Sequence, residues 1–65
     1  MKTETTKAWD LFENDLILVK DKIYEILDIV EGFERRTIIA KDEQGNKELF
    51  LNTVFKRIIK DGWMR

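Results

Sequence analysis

Apolar residues along this chain fall into short clusters separated by polar, turn-forming segments. Two runs rich in β-branched and aromatic residues, Thr37–Ala40 and Leu49–Phe55, flank the polar residues 42–47. Asp42 suits the first position of a type I turn, and Gly45 suits the left-handed position that follows such a turn in a hairpin loop. The pattern therefore predicts a β-hairpin in the second half of the chain.

The stretch from Asp15 to Glu31 fits either a helix or strands. As a helix, Ile23–Val30 carries apolar residues at helical spacing, and Gly32 follows its end. As strands, the stretch is rich in β-branched residues and is interrupted at Lys20-Asp21-Lys22. We favour strands, because a hairpin downstream needs neighbouring strands to bury its apolar face.

The C-terminal segment Thr53–Asp61 shows the same ambiguity. Asn52 can cap a helix that runs through this segment and ends at Gly62. Alternatively, Asn52–Phe55 is a tight turn and Lys56–Ile59 is a closing strand. We favour the strand here as well. The structure decides between helix and strand for both Ile23–Val30 and Thr53–Asp61.

The N-terminal third is predicted to contribute little regular structure. Residues 1–7 are polar and are expected to be flexible, and Lys7–Asn14 has the apolar spacing of a short helix or turn. Further along, residues 31–34 read as a turn between two strands. Ile39, in the middle of the following strand, is expected in the core.

The order of these elements resembles that of the SH3-like small barrels. The resemblance covers about residues 15–60: an initial strand, a strand at Ile23–Leu27, a tight hairpin around Gly45, a short turn at residues 52–54 and a final strand at Phe55–Ile59. It implies a mainly β fold, a small barrel of about five antiparallel strands with a short N-terminal helix or turn. It also implies a binding module, although a fold alone does not say what is bound.

Length and composition indicate one small domain over residues 1–65. The chain has no His, Ser, Cys or Pro, so Ser/His and Cys/His nucleophiles and histidine-bound or thiolate-bound metals cannot be built. We expect no enzyme activity, no metal and no cofactor. The longest apolar run is too short to cross a membrane and the N-terminus lacks a signal-like segment, so we expect a cytoplasmic protein with no membrane association.

Charge is distributed unevenly along the chain. Residues 1–34 carry nine acidic and four basic side chains, whereas residues 35–65 carry four acidic and eight basic ones. One interpretation is a basic patch that binds nucleic acid. The other is that the two halves interleave and their charges pair across strands. The basic residues concerned are Arg35, Arg36, Lys41, Lys47, Lys56, Arg57 and Lys60.

Candidate contact residues are an aromatic side chain beside two arginines, and the C-terminal tryptophan. Trp and Arg are typical of interface hot spots; we interpret Trp9 and Trp63 first as caps of the core, with Trp63 as the alternative anchor. The predicted partner-binding residues are Phe33, Arg35, Arg36, Trp63 and Arg65.

The leading hypothesis is a non-enzymatic domain that binds a larger protein, through these residues or a strand edge, and acts by steric occlusion or modulation, like the accessory proteins of bacteria and phages. The alternative is a small nucleic-acid-binding domain that uses the basic C-terminal half. A third hypothesis is self-association into a homo-oligomer such as a dimer, because a chain of this size without disulfides has a small core of its own.

Overall fold

The computed structural model of the chain describes residues 2–59, which form six β-strands and one short 3₁₀-helix. The strands are β1 (Lys2–Lys7), β2 (Leu16–Val19), β3 (Lys22–Glu31), β4 (Arg36–Asp42), β5 (Lys47–Phe50) and β6 (Val54–Ile59), and the helix covers Ala8–Asp10. They make one antiparallel sheet in the order β1-β6-β2-β3-β4-β5. The predicted mainly β fold with a short N-terminal helix is confirmed. Within residues 2–59, no helix is long and apolar enough to span a membrane.

The sheet is open, which corrects the predicted barrel of about five strands. β1 and β5 form its two edges, and no ladder joins them within residues 2–59. The register between β3 and β4 shifts between Ile26 and Asp28, so Leu27 is an extra residue in β3. Such a bulge bends and twists its strand. The bent sheet can therefore bury its apolar face without its edges having to pair.

Within the described residues, both segments left open between helix and strand are strands. Ile23–Val30 lies within β3, and Val54–Ile59 form β6, so Val54 and Phe55 belong to the strand and not to the predicted turn. A two-residue turn joins β2 to β3, because Val19 pairs with Lys22. Lys20 and Asp21 in that turn have φ of 50° and 65°, the left-handed values of a type I′ turn, which matches the twist of the flanking strands.

The predicted hairpin between β4 and β5 is confirmed. The Gly45 N–H donates to the Asp42 carbonyl at 3.1 Å, and Gly45 has a φ of 90°. The Asp42 carboxylate accepts hydrogen bonds from the backbone N–H groups of Gln44 and Asn46, both at 2.9 Å. These bonds lower the pKa of Asp42 below its ordinary value, the bond from Asn46 most strongly. The turn is thus fixed by the residues that predicted it.

Residues 1–7 differ from the flexible segment expected. Lys2–Lys7 form β1 and pair along their whole length with β6, from Lys2 opposite Ile59 to Lys7 opposite Val54. A polar edge strand needs no apolar face of its own when an apolar neighbour supplies the backbone partners. That neighbour lies some fifty residues away, so the composition of the segment could not reveal it.

The core lies on one face of the sheet and is closed by the segment after β1. Ile38 and Ala40 point into it, and Ile39 between them points outward and is only half buried. The expectation of a core Ile39 is wrong by one residue, because side chains alternate between the two faces of a strand. The buried apolar residues are Ala8, Leu11, Ile17, Tyr24, Ile26, Ile38, Ala40, Phe50 and Phe55.

Candidate functional site

Phe33 lies at the tip of the loop that joins β3 to β4. The loop covers residues 32–35 and is closed by the pairing of Glu31 with Arg36 and by a 2.8 Å hydrogen bond from the Gly32 N–H to the Arg35 carbonyl. Phe33 is 98% exposed, and Arg35 beside it is exposed as well. A fully exposed Phe on a closed loop is available for contact with another molecule.

Arg36, at the base of the same loop, is held by contacts inside the chain. Its side chain is only 10% exposed. Nη1 donates to the Ala8 carbonyl, Nη2 lies 3.7 Å from Glu31 Oε1, and the guanidinium carbon lies 5.6 Å from the centroid of the Trp9 ring. Arg36 therefore ties the loop to the 3₁₀-helix, and it does not offer a free guanidinium to a phosphate.

Trp9 and Phe12 are exposed close to the Phe33 loop. Trp9 is 53% exposed and Phe12 is 65% exposed. Phe12 and Arg36 line one shallow cleft together with Glu13, Ile29 and Glu31. We call the three side chains Trp9, Phe12 and Phe33 the aromatic end of the molecule. Trp9 does not cap the core as the sequence suggested, since more than half of it is in contact with solvent.

Phe12 belongs to this surface although its sequence spacing placed it on the buried face of a helix. The helix ends at Asp10, and Leu11 has an extended backbone with φ −91° and ψ 150°. Consecutive side chains of an extended segment point to opposite sides. Leu11 is accordingly fully buried and Phe12 points outward. The sequence carries one signal of this arrangement. Leu11 and Phe12 are adjacent, and adjacent side chains on an extended backbone cannot both point into the same core.

A tight loop holds Phe12 in place. Its N–H donates to the carboxylate of Asp15 at 2.9 Å, and its carbonyl accepts from the Asp15 N–H at 3.2 Å. The loop is in turn bonded to β3, because the Asn14 N–H donates to the Ile26 carbonyl and the Ile26 N–H donates to the Asp15 carbonyl. The Phe12 ring is thus presented on a fixed backbone.

The remaining aromatic residues within residues 2–59 are buried together. Tyr24 and Phe50 meet edge to face with ring centroids 5.0 Å apart, and Phe50 meets Phe55 in the same way at 6.2 Å. The Tyr24 hydroxyl donates to a carboxylate oxygen of Glu48 at 3.3 Å. Burial, and then the charge of Glu48, raise the pKa of Tyr24. The aromatic residues of the described chain therefore divide between the core and the aromatic end.

Carboxylates are the majority charge around the aromatic end. Asp10 and Glu13 lie on the segment that carries Trp9 and Phe12, and Glu31 and Glu34 lie at the β3–β4 loop. Arg36 and Glu31 pair with each other, so Arg35 is set against the three carboxylates of Asp10, Glu13 and Glu34. Phosphate groups would meet this excess of negative charge.

The basic residues at positions 35–59 do not gather into one patch. Arg57 pairs with Glu4, Lys41 lies 4.0 Å from Glu25, and Arg36 pairs with Glu31. Each of these pairs joins residues that stand directly opposite each other on adjacent strands. Lys47 on β5 stands opposite Lys41, and the width of the sheet separates it from Lys56 on β6. Cross-strand pairing, the second of the two interpretations of the charge pattern, describes Arg36, Lys41 and Arg57.

Three residues of the predicted basic patch and contact surface, Lys60, Trp63 and Arg65, lie outside the described residues. Within the described range, no group of three or more carboxylates is placed to hold a metal ion. A scan against protein-family models and a search of curated proteins found no match for the chain.

Proposed function

We propose that this protein is a small non-enzymatic binding domain that docks onto a larger protein through the aromatic end, Trp9, Phe12 and Phe33. Its mode of action is steric: the domain covers or reshapes the surface that it occupies. The observation that carries the proposal is the 98% exposure of Phe33 on a loop whose base residue, Arg36, contacts the exposed Trp9 ring and lines a cleft with the exposed Phe12. Large aromatic side chains are costly to leave in water and dominate the energetics of interfaces.

The rigidity of the surface supports the same function. Trp9 is stacked on Arg36, and the backbone of Phe12 is bonded to Asp15. A surface that is ordered before binding loses less conformational freedom in the complex, which raises affinity. Arg35, exposed beside Phe33, adds a guanidinium that can pair with a carboxylate of the partner.

Charge defines the partner further. With Asp10, Glu13 and Glu34 on the segments that carry the rings, we expect an apolar partner surface with basic residues at its rim. The arrangement disfavours nucleic acid at this end. The alternative function, nucleic-acid binding, has its support in a shallow groove that Lys20 and Lys56 line together with Thr5, Asp21 and Asn52.

Capture from a cell lysate tests the proposal and separates the alternatives. Tagged chain is incubated with lysate, with and without nuclease, and bound proteins are quantified by mass spectrometry. The variants are Phe33→Ser and Phe12→Ser at the aromatic end and Lys20→Glu with Lys56→Glu in the groove. Ile59→Ser is the matched control, because Ile59 is an exposed apolar residue opposite Lys2, at the other end of β6 from the strand end that lies beside Lys7 and Ala8.

We expect one protein to be retained after nuclease treatment and after the Ile59 and lysine substitutions. Phe33→Ser and Phe12→Ser should each weaken its binding by about 10- to 100-fold, as loss of a hot-spot aromatic does. Capture that persists in both aromatic variants would rule out this surface. Nucleic-acid binding would be favoured instead if capture were lost after nuclease treatment and after the lysine substitutions, and if the logarithm of the affinity fell linearly with the logarithm of the salt concentration.

A further inference from the structure

The two edges of the sheet differ in chemical character. β1 is built from Lys, Thr and Glu residues, as is usual for an edge that must not pair with another chain. β5 pairs with β4 alone among the described strands, and its Leu49 is 67% exposed. Leu51, directly after β5, is 53% exposed. An edge with exposed leucines is suited to accept a further strand.

The hairpin fixes which backbone groups of β5 face outward. The Asp42 N–H donates to the Asn46 carbonyl at 2.9 Å, in the same register that pairs Ile39 with Leu49 and Ala40 with Glu48. Hydrogen-bonded and non-hydrogen-bonded pairs alternate along an antiparallel ladder. The Glu48 position is therefore bonded to β4, and the backbone N–H and C=O groups of Leu49 point away from it. By the same alternation, those of Lys47 and Leu51 also point to the open edge.

We propose that the β5 edge pairs antiparallel with the β5 edge of a second copy of this chain, with Leu49 at the two-fold axis. In this register Leu49 stands opposite Leu49 of the second copy, and Lys47 stands opposite its Leu51. All three positions have their hydrogen-bonding groups on the open edge, so each gains a partner. Glu48 stands opposite Phe50, and no two like charges face each other.

Neighbouring registers are less favourable. If the two-fold axis fell between two residues, each residue would pair with one whose side chain lies on the other face of the sheet, which the pleat of an antiparallel ladder does not allow. An axis at Glu48 or at Lys47 would place like charges directly opposite each other. An axis at Phe50 would bring Lys47 opposite Thr53, whose carbonyl already accepts a hydrogen bond from Ala8. The chain thus favours the Leu49 register.

Pairing through β5 leaves the aromatic end free. In an antiparallel two-fold pair, the β3–β4 loops of the two copies lie at opposite ends of a continuous twelve-stranded sheet. Each copy then presents Phe33 in the opposite direction. Dimerisation does not depend on the proposed partner-binding function, and it would make the domain bivalent for that partner.

Sedimentation equilibrium over a range of concentrations tests the dimer, and two matched substitutions test the edge. The wild type should approach twice the mass of one chain as concentration rises. Leu49→Glu places two carboxylates opposite each other at the axis and should weaken the dimer about tenfold or more. Thr5→Glu introduces the same charge on the β1 edge and should leave the dimer intact.

A single cysteine tests the register. The chain has no cysteine of its own, so Leu49→Cys can cross-link only to a second copy. Hydrogen-bonded antiparallel pairs have Cα atoms about 5.5 Å apart, within the range of a disulfide. Mild oxidation with copper(II)–phenanthroline should give a covalent dimer: the two thiols release two protons to solvent and one electron to each of two copper(II) centres as the S–S bond forms. Thr5→Cys should give little.

The proposal is overturned by a mass of one chain at every concentration, which would mean that the edge is free or covered by residues 60–65. It is also overturned if Thr5→Glu dissociates the dimer and Leu49→Glu does not, or if Leu49→Cys cross-links no better than Thr5→Cys. Circular dichroism of each variant confirms that the monomer remains folded. None of these outcomes bears on the binding role of Phe33.

Discussion

Glu4 and Arg57 stand directly opposite each other on β1 and β6, and the Arg57 guanidinium donates a hydrogen bond to the Glu4 carboxylate. The hydrogen bond to Glu4 is the main cause that raises the pKa of Arg57 above its ordinary value. The pairs Glu25–Lys41 and Glu31–Arg36 are built in the same way. In each, an acid from the first half of the chain meets a base from the second, so the sheet neutralises a charge asymmetry that the linear sequence displays.

Removal of Glu4 should destabilise the fold more than removal of Glu25. Arg57 is mostly buried and its Nε has no hydrogen-bond partner within the described structure, so Glu4→Gln should lower the free energy of unfolding by about 1 kcal/mol. Glu25→Gln breaks a longer, more exposed pair with Lys41 and should cost less than about 0.5 kcal/mol. Urea denaturation measures both. Equal losses would contradict a special role for the Glu4–Arg57 pair.

Stability should depend on the ionisation of Asp42 at acid pH. Because its folded-state pKa is lowered by hydrogen bonds from the Asn46 and Gln44 N–H groups, the carboxylate stabilises the fold at pH values above the ordinary pKa of 3.8. That contribution is lost as pH falls through the lower folded-state value. Asp42→Ala should therefore melt at a lower temperature than wild type at pH 7, with the difference shrinking below pH 3.8. A difference that is constant from pH 7 to pH 2 would contradict this.

The turn between β2 and β3 can be improved. Lys20 and Asp21 adopt left-handed backbone angles that cost an ordinary residue of the L configuration about 1 kcal/mol each. Asn-Gly is the preferred pair for this turn type, so Lys20→Asn with Asp21→Gly should stabilise the domain by roughly 1 kcal/mol. Thermal and urea denaturation check the gain. The same two substitutions should leave the sheet order unchanged, and a loss of stability would indicate a different turn.

Substitutions at Ile38 and Ile39 should differ sharply. Ile38 is fully buried, so Ile38→Ala should cost about 3 kcal/mol. Ile39 lies half buried on the outer face opposite Leu49, so Ile39→Ala should cost about 1 kcal/mol or less. Circular dichroism melts of both variants provide the comparison. If Ile39→Ala were the more damaging change, the strand would be in the opposite register.

The aromatic end shows which part of a binding surface sequence reasoning can reach. Phe33 was predicted as a contact residue because it lies in a polar turn next to arginines, and its exposure follows from the local sequence. Phe12 was missed, because its direction depends on where the helix ends and on the loop that follows, which is bonded to β3: the Asn14 N–H donates to the Ile26 carbonyl and the Asp15 carbonyl accepts from the Ile26 N–H. The role of Arg36 was also out of reach, since its partners Ala8 and Trp9 lie more than twenty-five positions away.

Local sequence by itself determined the turns and the strands between them. Gly45 and Asp42 specify the second hairpin because their backbone angles and hydrogen bonds are satisfied within a few residues, and a hairpin turn places the apolar residues on either side of it in strands. Such features need no distant partner, and they are therefore legible in the chain.

Tertiary structure alone decided how the strands are ordered, which faces are buried and how the charges are neutralised. β1 forms because β6 supplies its backbone hydrogen bonds. The sheet remains open because the two edge strands, β1 and β5, pair with β6 and β4 and not with each other within residues 2–59. The direction of each side chain in β4 depends on the pairing register, because a shift by one residue would bury Ile39 in place of Ile38. Pairing energies between distant strands set these choices, and no window of the sequence contains both partners.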